Sequence, residues 1–189
     1  VAVEKGNVEL VRALIEAGAE VNKCTTDRGV SPLCIAAQKG NVEAVRALIE
    51  AGAEVNKSTT DGISPLYMAA EKGNVEAVRA LIEAGADVNK ATTDRGISPL
   101  FAAAQNNHAK AVRALVEAGA DVNKCTIDND VSPLFTAAQS GHIEVVRALI
   151  EAGADANKEV RTITGVFETP EQAARRNNHA QVVRVLTRR

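Results

Sequence analysis

The strongest constraint on how this chain can fold is a self-similarity with a period of 33 to 34 residues. Pro32, Pro65, Pro99, Pro133 and Pro170 are spaced 33, 34, 34 and 37 residues apart, and Gly18, Gly52, Gly85, Gly119 and Gly153 follow at 34, 33, 34 and 34. A period within roughly 20–50 residues marks an array of small units that stack on one another. One unit runs from Ser64 to Asn89. Ser64-Pro65 is a helix start, with a hydroxyl for the free first-turn amides and proline where the N–H has no partner. The spacing predicts a first helix of about two turns, then a second capped by Asn74. Val75, Val78, Leu81 and Ile82 recur there at helical spacing, with Glu76, Arg79 and Glu83 on the other side. Gly85 ends that helix, since glycine enters the left-handed region most cheaply. A helix pair this small cannot bury its own apolar face, so stability must come from stacking. The composition agrees: 34 Ala and 23 Val, but three Phe, one Tyr and no Trp among 189 residues, describe closely packed elements.

The recurring residues resemble the ankyrin repeat family. Ser98-Pro99-Leu100, Ala103-Ala104, Asn107-His108 and Gly119-Ala120-Asp121-Val122-Asn123 stand where that family has its Thr-Pro-Leu-His, Ala-Ala, Gly-His and Gly-Ala-Asp-Val-Asn signature. The order repeats in every unit. The resemblance implies an all-α solenoid of L-shaped helix-turn-helix units with projecting loops, stacked into a curve whose concave side binds macromolecules. One domain, 1–189, is expected, with units at 1–23 (partial), 24–57, 58–90, 91–124, 125–158 and 159–189. Val1 aligns with Met68, which suggests an upstream extension or a truncated end. The last unit has a ten-residue loop, Glu159 to Glu168, then Thr169-Pro170-Glu171-Gln172, which reads as a capping box. It is read as a C-terminal cap that shields the stack from water.

Residues that could carry chemistry mostly have structural readings. His108, His142 and His179 share one repeat position, which Asn7, Asn41 and Asn74 occupy elsewhere. Neighbouring units are about 8–10 Å apart, so the histidines are expected to bond the loop and not to share a metal. Cys24 and Cys125 also share a position, three units apart, too far for a disulfide, and Cys34 has no histidine near it in sequence. The odd cysteine count suits reduced thiols in the cytosol or nucleus. No apolar run is long enough for a membrane span. The glycines are single and periodic, so no phosphate loop is expected. Glu43 with Glu50 and Glu76 with Glu83 lie on outward faces beside arginines.

Charge is uneven along the chain. Residues 1–158 hold 16 basic and 21 acidic side chains, net −5, while 159–189 hold 6 and 3, net +3. Arg188 and Arg189 are expected to complement the dipole of a terminal helix, and an acidic partner facing this basic end is the other reading. No exposed aromatic is expected, which argues against single-stranded nucleic acid. The position after Ser-Pro-Leu reads Cys34, Tyr67, Phe101 and Phe135, then Gln172. Core rings under each loop are the favoured reading of that column, and an aromatic binding stripe is the other.

The family's contact positions, carried onto this chain, give Gln38, Lys39, Glu71, Lys72, Gln105, Asn106, Gln139 and Ser140 on the helices. They give Asp27, Arg28, Asp61, Asp94, Arg95, Asn129 and Asp130 on the loop tips. These vary between units while the framework does not. The resemblance further implies that an oxygenase acting on ankyrin asparagines could hydroxylate Asn56 and Asn89. Each follows a leucine, Leu48 or Leu81, by eight residues, although bonding to the loop backbone also explains both asparagines. The expected function is non-catalytic protein recognition by a monomer, without cofactor, metal, small-molecule substrate, nucleic acid or membrane. A structural spacer or a consensus-like engineered scaffold are the alternatives. Irregular stretches such as Asn106-Asn107-His108-Ala109-Lys110 favour a natural sequence.

Overall fold

The structure is a computed structural model that describes residues 2–3, 5–161 and 165–188. Val1, from which the alignment to Met68 is counted, and Arg189, expected beside a helix dipole, lie outside the described residues. Inner helices are α2 (Pro32–Lys39), α4 (Pro65–Lys72), α6 (Pro99–Gln105), α8 (Pro133–Ser140) and α10 (Pro170–Arg176). Outer helices are α1 (Val8–Glu16), α3 (Val42–Glu50), α5 (Val75–Glu83), α7 (Ala109–Glu117), α9 (Ile143–Glu151) and α11 (Ala180–Thr187). Each inner helix from α2 onward packs on the outer helix that follows it and on the next inner helix. Neighbouring inner helices pack closely on one another through their alanine pairs, and neighbouring outer helices are also in contact.

The serine starts act as read. Ser31, Ser64, Ser98 and Ser132 each accept a hydrogen bond at Oγ from the amide three residues on, at 3.1–3.2 Å, and proline opens every helix they cap. In α10 the capping box closes in both directions, Thr169 N to Gln172 Oε1 at 2.8 Å and Gln172 N to Thr169 Oγ1 at 3.3 Å. The glycine after each outer helix from α1 to α9 has φ between 82° and 86°. At the end of the inner helices Asn107 and Asn178 take the left-handed position that Gly40, Gly73 and Gly141 hold in other units.

The core is thin and continuous. The alanine pairs of the inner helices, Ala36-Ala37 through Ala173-Ala174, are wholly buried, and only side chains this small let consecutive helices approach so closely. Leu33, Leu66, Leu100 and Leu134 fill the junction below them, with Val45, Leu48 and their equivalents from the outer helices. Ile49, expected in that buried set, is corrected to half-buried, as is Ile82: each is the eighth residue of its outer helix and packs at the edge of the core.

Between units the chain forms short loop hairpins. Thr25, Thr59, Thr92 and Thr126 each bond the far side of their own hairpin through both amide and hydroxyl. Rungs then join one hairpin to the next, Thr60 N to Arg28 O at 3.1 Å, Thr93 N to Asp61 O at 3.0 Å and Ile127 N to Arg95 O at 3.0 Å. The last hairpin is longer. Where a plain loop was expected, β1 (Val160–Arg161) pairs antiparallel with β2 (Phe167–Glu168), Val160 opposite Glu168 and Arg161 opposite Phe167.

Candidate functional site

The histidine column bonds elsewhere than expected. His108 Nε2 meets the carbonyl of Glu71 at 3.0 Å, His142 that of Gln105 at 3.1 Å and His179 that of Gln139 at 3.1 Å. A carbonyl only accepts, so Nε2 carries the proton. None of the three rings caps its own helix. Asn74 likewise donates to Ala37 O at 2.9 Å and Gln38 O at 3.0 Å and leaves α5 without a side-chain cap. These residues close the C-terminal carbonyls of the preceding unit's inner helix, so the expected bond to the loop is corrected to a bond between units. Asn41 does both, accepting from Ala44 N and donating to Gly6 O at 3.1 Å.

A second column of staples runs through the asparagines after the outer helices. Asn56 Oδ1 accepts from Asp87 N at 2.8 Å while its Nδ2 donates to Gly85 O at 3.2 Å. Asn89 Oδ1 accepts from Asp121 N at 2.8 Å. Bonding to the loop of the next unit accounts for both residues without modification.

Those bonds leave a surface. Gln38, Lys39, Lys72, Gln105, Asn106, Gln139 and Ser140 are exposed at the ends of the inner helices, and Glu71 is half-buried. Glu71 pairs with Lys72 at 3.1 Å, and Asn106 turns its amide back onto Ala102 O at 2.8 Å. The backbone carbonyls of Gln38, Glu71, Gln105 and Gln139 are held by the next unit. Side-chain variation therefore rides on a fixed backbone.

The loop-tip residues are all exposed, but several are engaged with one another. Arg28 pairs with Asp61 at 3.6 Å, and Arg95 with Asp128 at 3.6 Å. Asp130, in the left-handed region at φ 56°, pairs with Lys158 at the end of its own unit. Asp128 and Lys158 were not legible as partners, because they lie 33 and 28 residues from Arg95 and Asp130. Asp27 and Asp94 are held below the ordinary aspartate value, first by the hydroxyls of Thr25 and Thr92.

The aromatic column is core, as favoured. Phe101 packs with Ile97 and Ala102, and Phe135 with Val160 and Ala173, beneath the hairpins. Tyr67 is half-buried beside the first of these clusters. The expectation of no exposed aromatic is corrected by Phe167, which is 58% exposed because it sits on the outer face of the ribbon. The outward glutamates also pair across units, Arg46 with Glu83 at 3.5 Å and Arg79 with Glu117 at 3.6 Å.

The thiols are quiet. Cys34 is buried, with Sγ 3.8 Å from Lys57 O, and its pKa is raised by burial. Burial, then the Asp130 carboxylate, pushes Cys125 up to about 11. Among the described residues no histidine, cysteine or carboxylate cluster could hold a metal, and no helix is long and apolar enough to cross a membrane.

Comparison with curated proteins finds no match. The family model described as ankyrin repeats (3 copies) matches residues 1–92 and 89–160. With serine-proline helix starts, alanine-paired inner helices and asparagine-stapled loops repeating through that span, the chain belongs to the ankyrin repeat family.

Proposed function

We propose that the chain is a non-catalytic recognition scaffold that binds a protein partner across the inner-helix ends and the loop tips. Ankyrin repeats generally mediate protein–protein interactions, and the family is generally non-catalytic. The observation that carries the surface assignment is the split between fixed backbone and free side chains. The Gln38, Glu71, Gln105 and Gln139 carbonyls are locked between units, while the residues that follow them, Lys39, Lys72, Asn106 and Ser140, differ from unit to unit and are exposed. A rigid scaffold keeps the ordering cost of binding low and concentrates specificity in a few side chains.

The test pairs two double charge reversals on a partner captured from lysate and then purified. Lys39→Glu with Lys72→Glu should weaken affinity about tenfold or more with little change in stability, since both side chains are exposed. Glu43→Lys with Glu76→Lys, on outer helices, should leave affinity within about twofold. Loss with the glutamate pair and retention with the lysine pair would move recognition to the outer face.

A further inference from the structure

Among the described residues five large apolar side chains stand exposed, and three of them, Ile127, Val166 and Phe167, lie on the last two hairpins of the row. Residues directly opposite in an antiparallel pair share a face. Val160, opposite Glu168, packs against Phe135 and Ala173, so its face of the ribbon lies on the body. Arg161 and Phe167, opposite each other, therefore form the face turned to water. A solvated face is ordinarily polar, yet Phe167 stands on it at 58% exposure.

Charge singles out the same face. Two of the three acids in 159–189 are already paired, Glu168 with Arg176 at 2.9 Å and Glu171 with Arg175 at 2.6 Å. Arg161 forms no ion pair among the described residues. In the preceding hairpin the register position of Arg161 belongs to Ile127, 69% exposed, which follows Thr126 as Arg161 follows Val160. The end of the hairpin row thus carries apolar surface and an unneutralised guanidinium on a net-positive segment, while residues 1–158 are net −5.

We infer that the outer face of the β1–β2 ribbon is a docking site for a short acidic segment of a partner protein that carries an apolar side chain. Phe167, with Ile127 beside the same row, takes the apolar group, and Arg161 takes a carboxylate, for which the planar guanidinium can offer two parallel donors. The acidic body repels such a segment elsewhere and directs it to this end. This site is separate from the inner-helix surface and does not rest on it.

The test is a titration of the isotope-labelled chain, followed by amide NMR, with synthetic peptides. The first has a central phenylalanine flanked by glutamates. The second replaces that phenylalanine with serine, the third replaces the glutamates with lysines, and oligo(dT) is added as a fourth ligand. Saturable shifts at residues 160, 161, 167 and 168 are expected with the first peptide alone. Phe167→Ser or Arg161→Glu should weaken it about tenfold while the amide spectrum and thermal melt stay those of the parent, because both side chains are exposed. Absence of saturable shifts, equal response to the lysine peptide or to oligo(dT), or shifts confined to the inner-helix ends would each overturn the site. The last result would do so while favouring the inner-helix surface.

Discussion

At Gly141 two separate demands fall on one residue. Its φ of 76° is left-handed, and a Cβ placed there would stand 2.6 Å from Nδ1 of His179, the ring that closes the preceding inner helix. At Gly119 the φ of 85° makes only the first demand, with nothing within 4 Å of a Cβ. Gly119→Ala should therefore cost about 1 kcal/mol of unfolding free energy, and Gly141→Ala on the order of 2–3 kcal/mol, read from urea titrations. Equal losses would mean that the histidine can move aside at no cost. Cys125 offers a residue-scale test through pH. Its folded-state pKa of about 11 lies above the ordinary 9.0, so the fold holds the thiol's proton. Stability from this group is full below about pH 9 and is lost as pH rises toward about 11. Alkylation of Cys125 by iodoacetamide at pH 8, followed by peptide mass mapping, should be about 100-fold slower in the folded chain than in urea, because the thiolate is the reactive form. Equal rates would show that burial and the Asp130 carboxylate do not act on it as described.

The outer helix is the element on which the stack depends most plainly. In α5, Leu81 and Val78 are buried, Ile82 is half-buried, and Glu76 is exposed. Leu81→Ala should cost on the order of 2–4 kcal/mol by leaving a cavity, Ile82→Ala roughly half of that, and Glu76→Ala less than about 0.5 kcal/mol. Equal urea midpoints for Leu81→Ala and Glu76→Ala would reverse the face assignment. Much of each element could be read from the chain, because local rules decide it. Ser64-Pro65 starts a helix through the amide of Tyr67, three residues away. The destinations of Asn74 and His108 could not be read. Their partners lie 36 or 37 residues back, and the capping alternative, three residues forward, is the one that local rules favour. The ribbon escaped for a related reason: the threonine that closes other hairpins is replaced by Val160, and pairing with Glu168 across an insertion leaves no periodic trace.

Among the described residues each unit leans chiefly on its neighbours, through alanine pairs, asparagine staples and hairpin rungs, so cooperativity is that of a one-dimensional stack. The order of the stack was legible in the period, whereas the inner-helix contact positions were named only through the resemblance to the family. The pairing of loop charges, which withdraws Arg28, Asp61 and Arg95 from free display, needed the neighbouring unit in place. The central claim is that this stack presents its inner-helix ends to a partner, and amide hydrogen exchange of the free and partner-bound chain tests it most directly. Bound partner should slow exchange at residues 38–39, 71–72, 105–106 and 139–140 and in the adjoining hairpins, with the outer helices unchanged. Protection confined to α3, α5, α7 and α9, with the inner-helix ends exchanging as in the free chain, would contradict it.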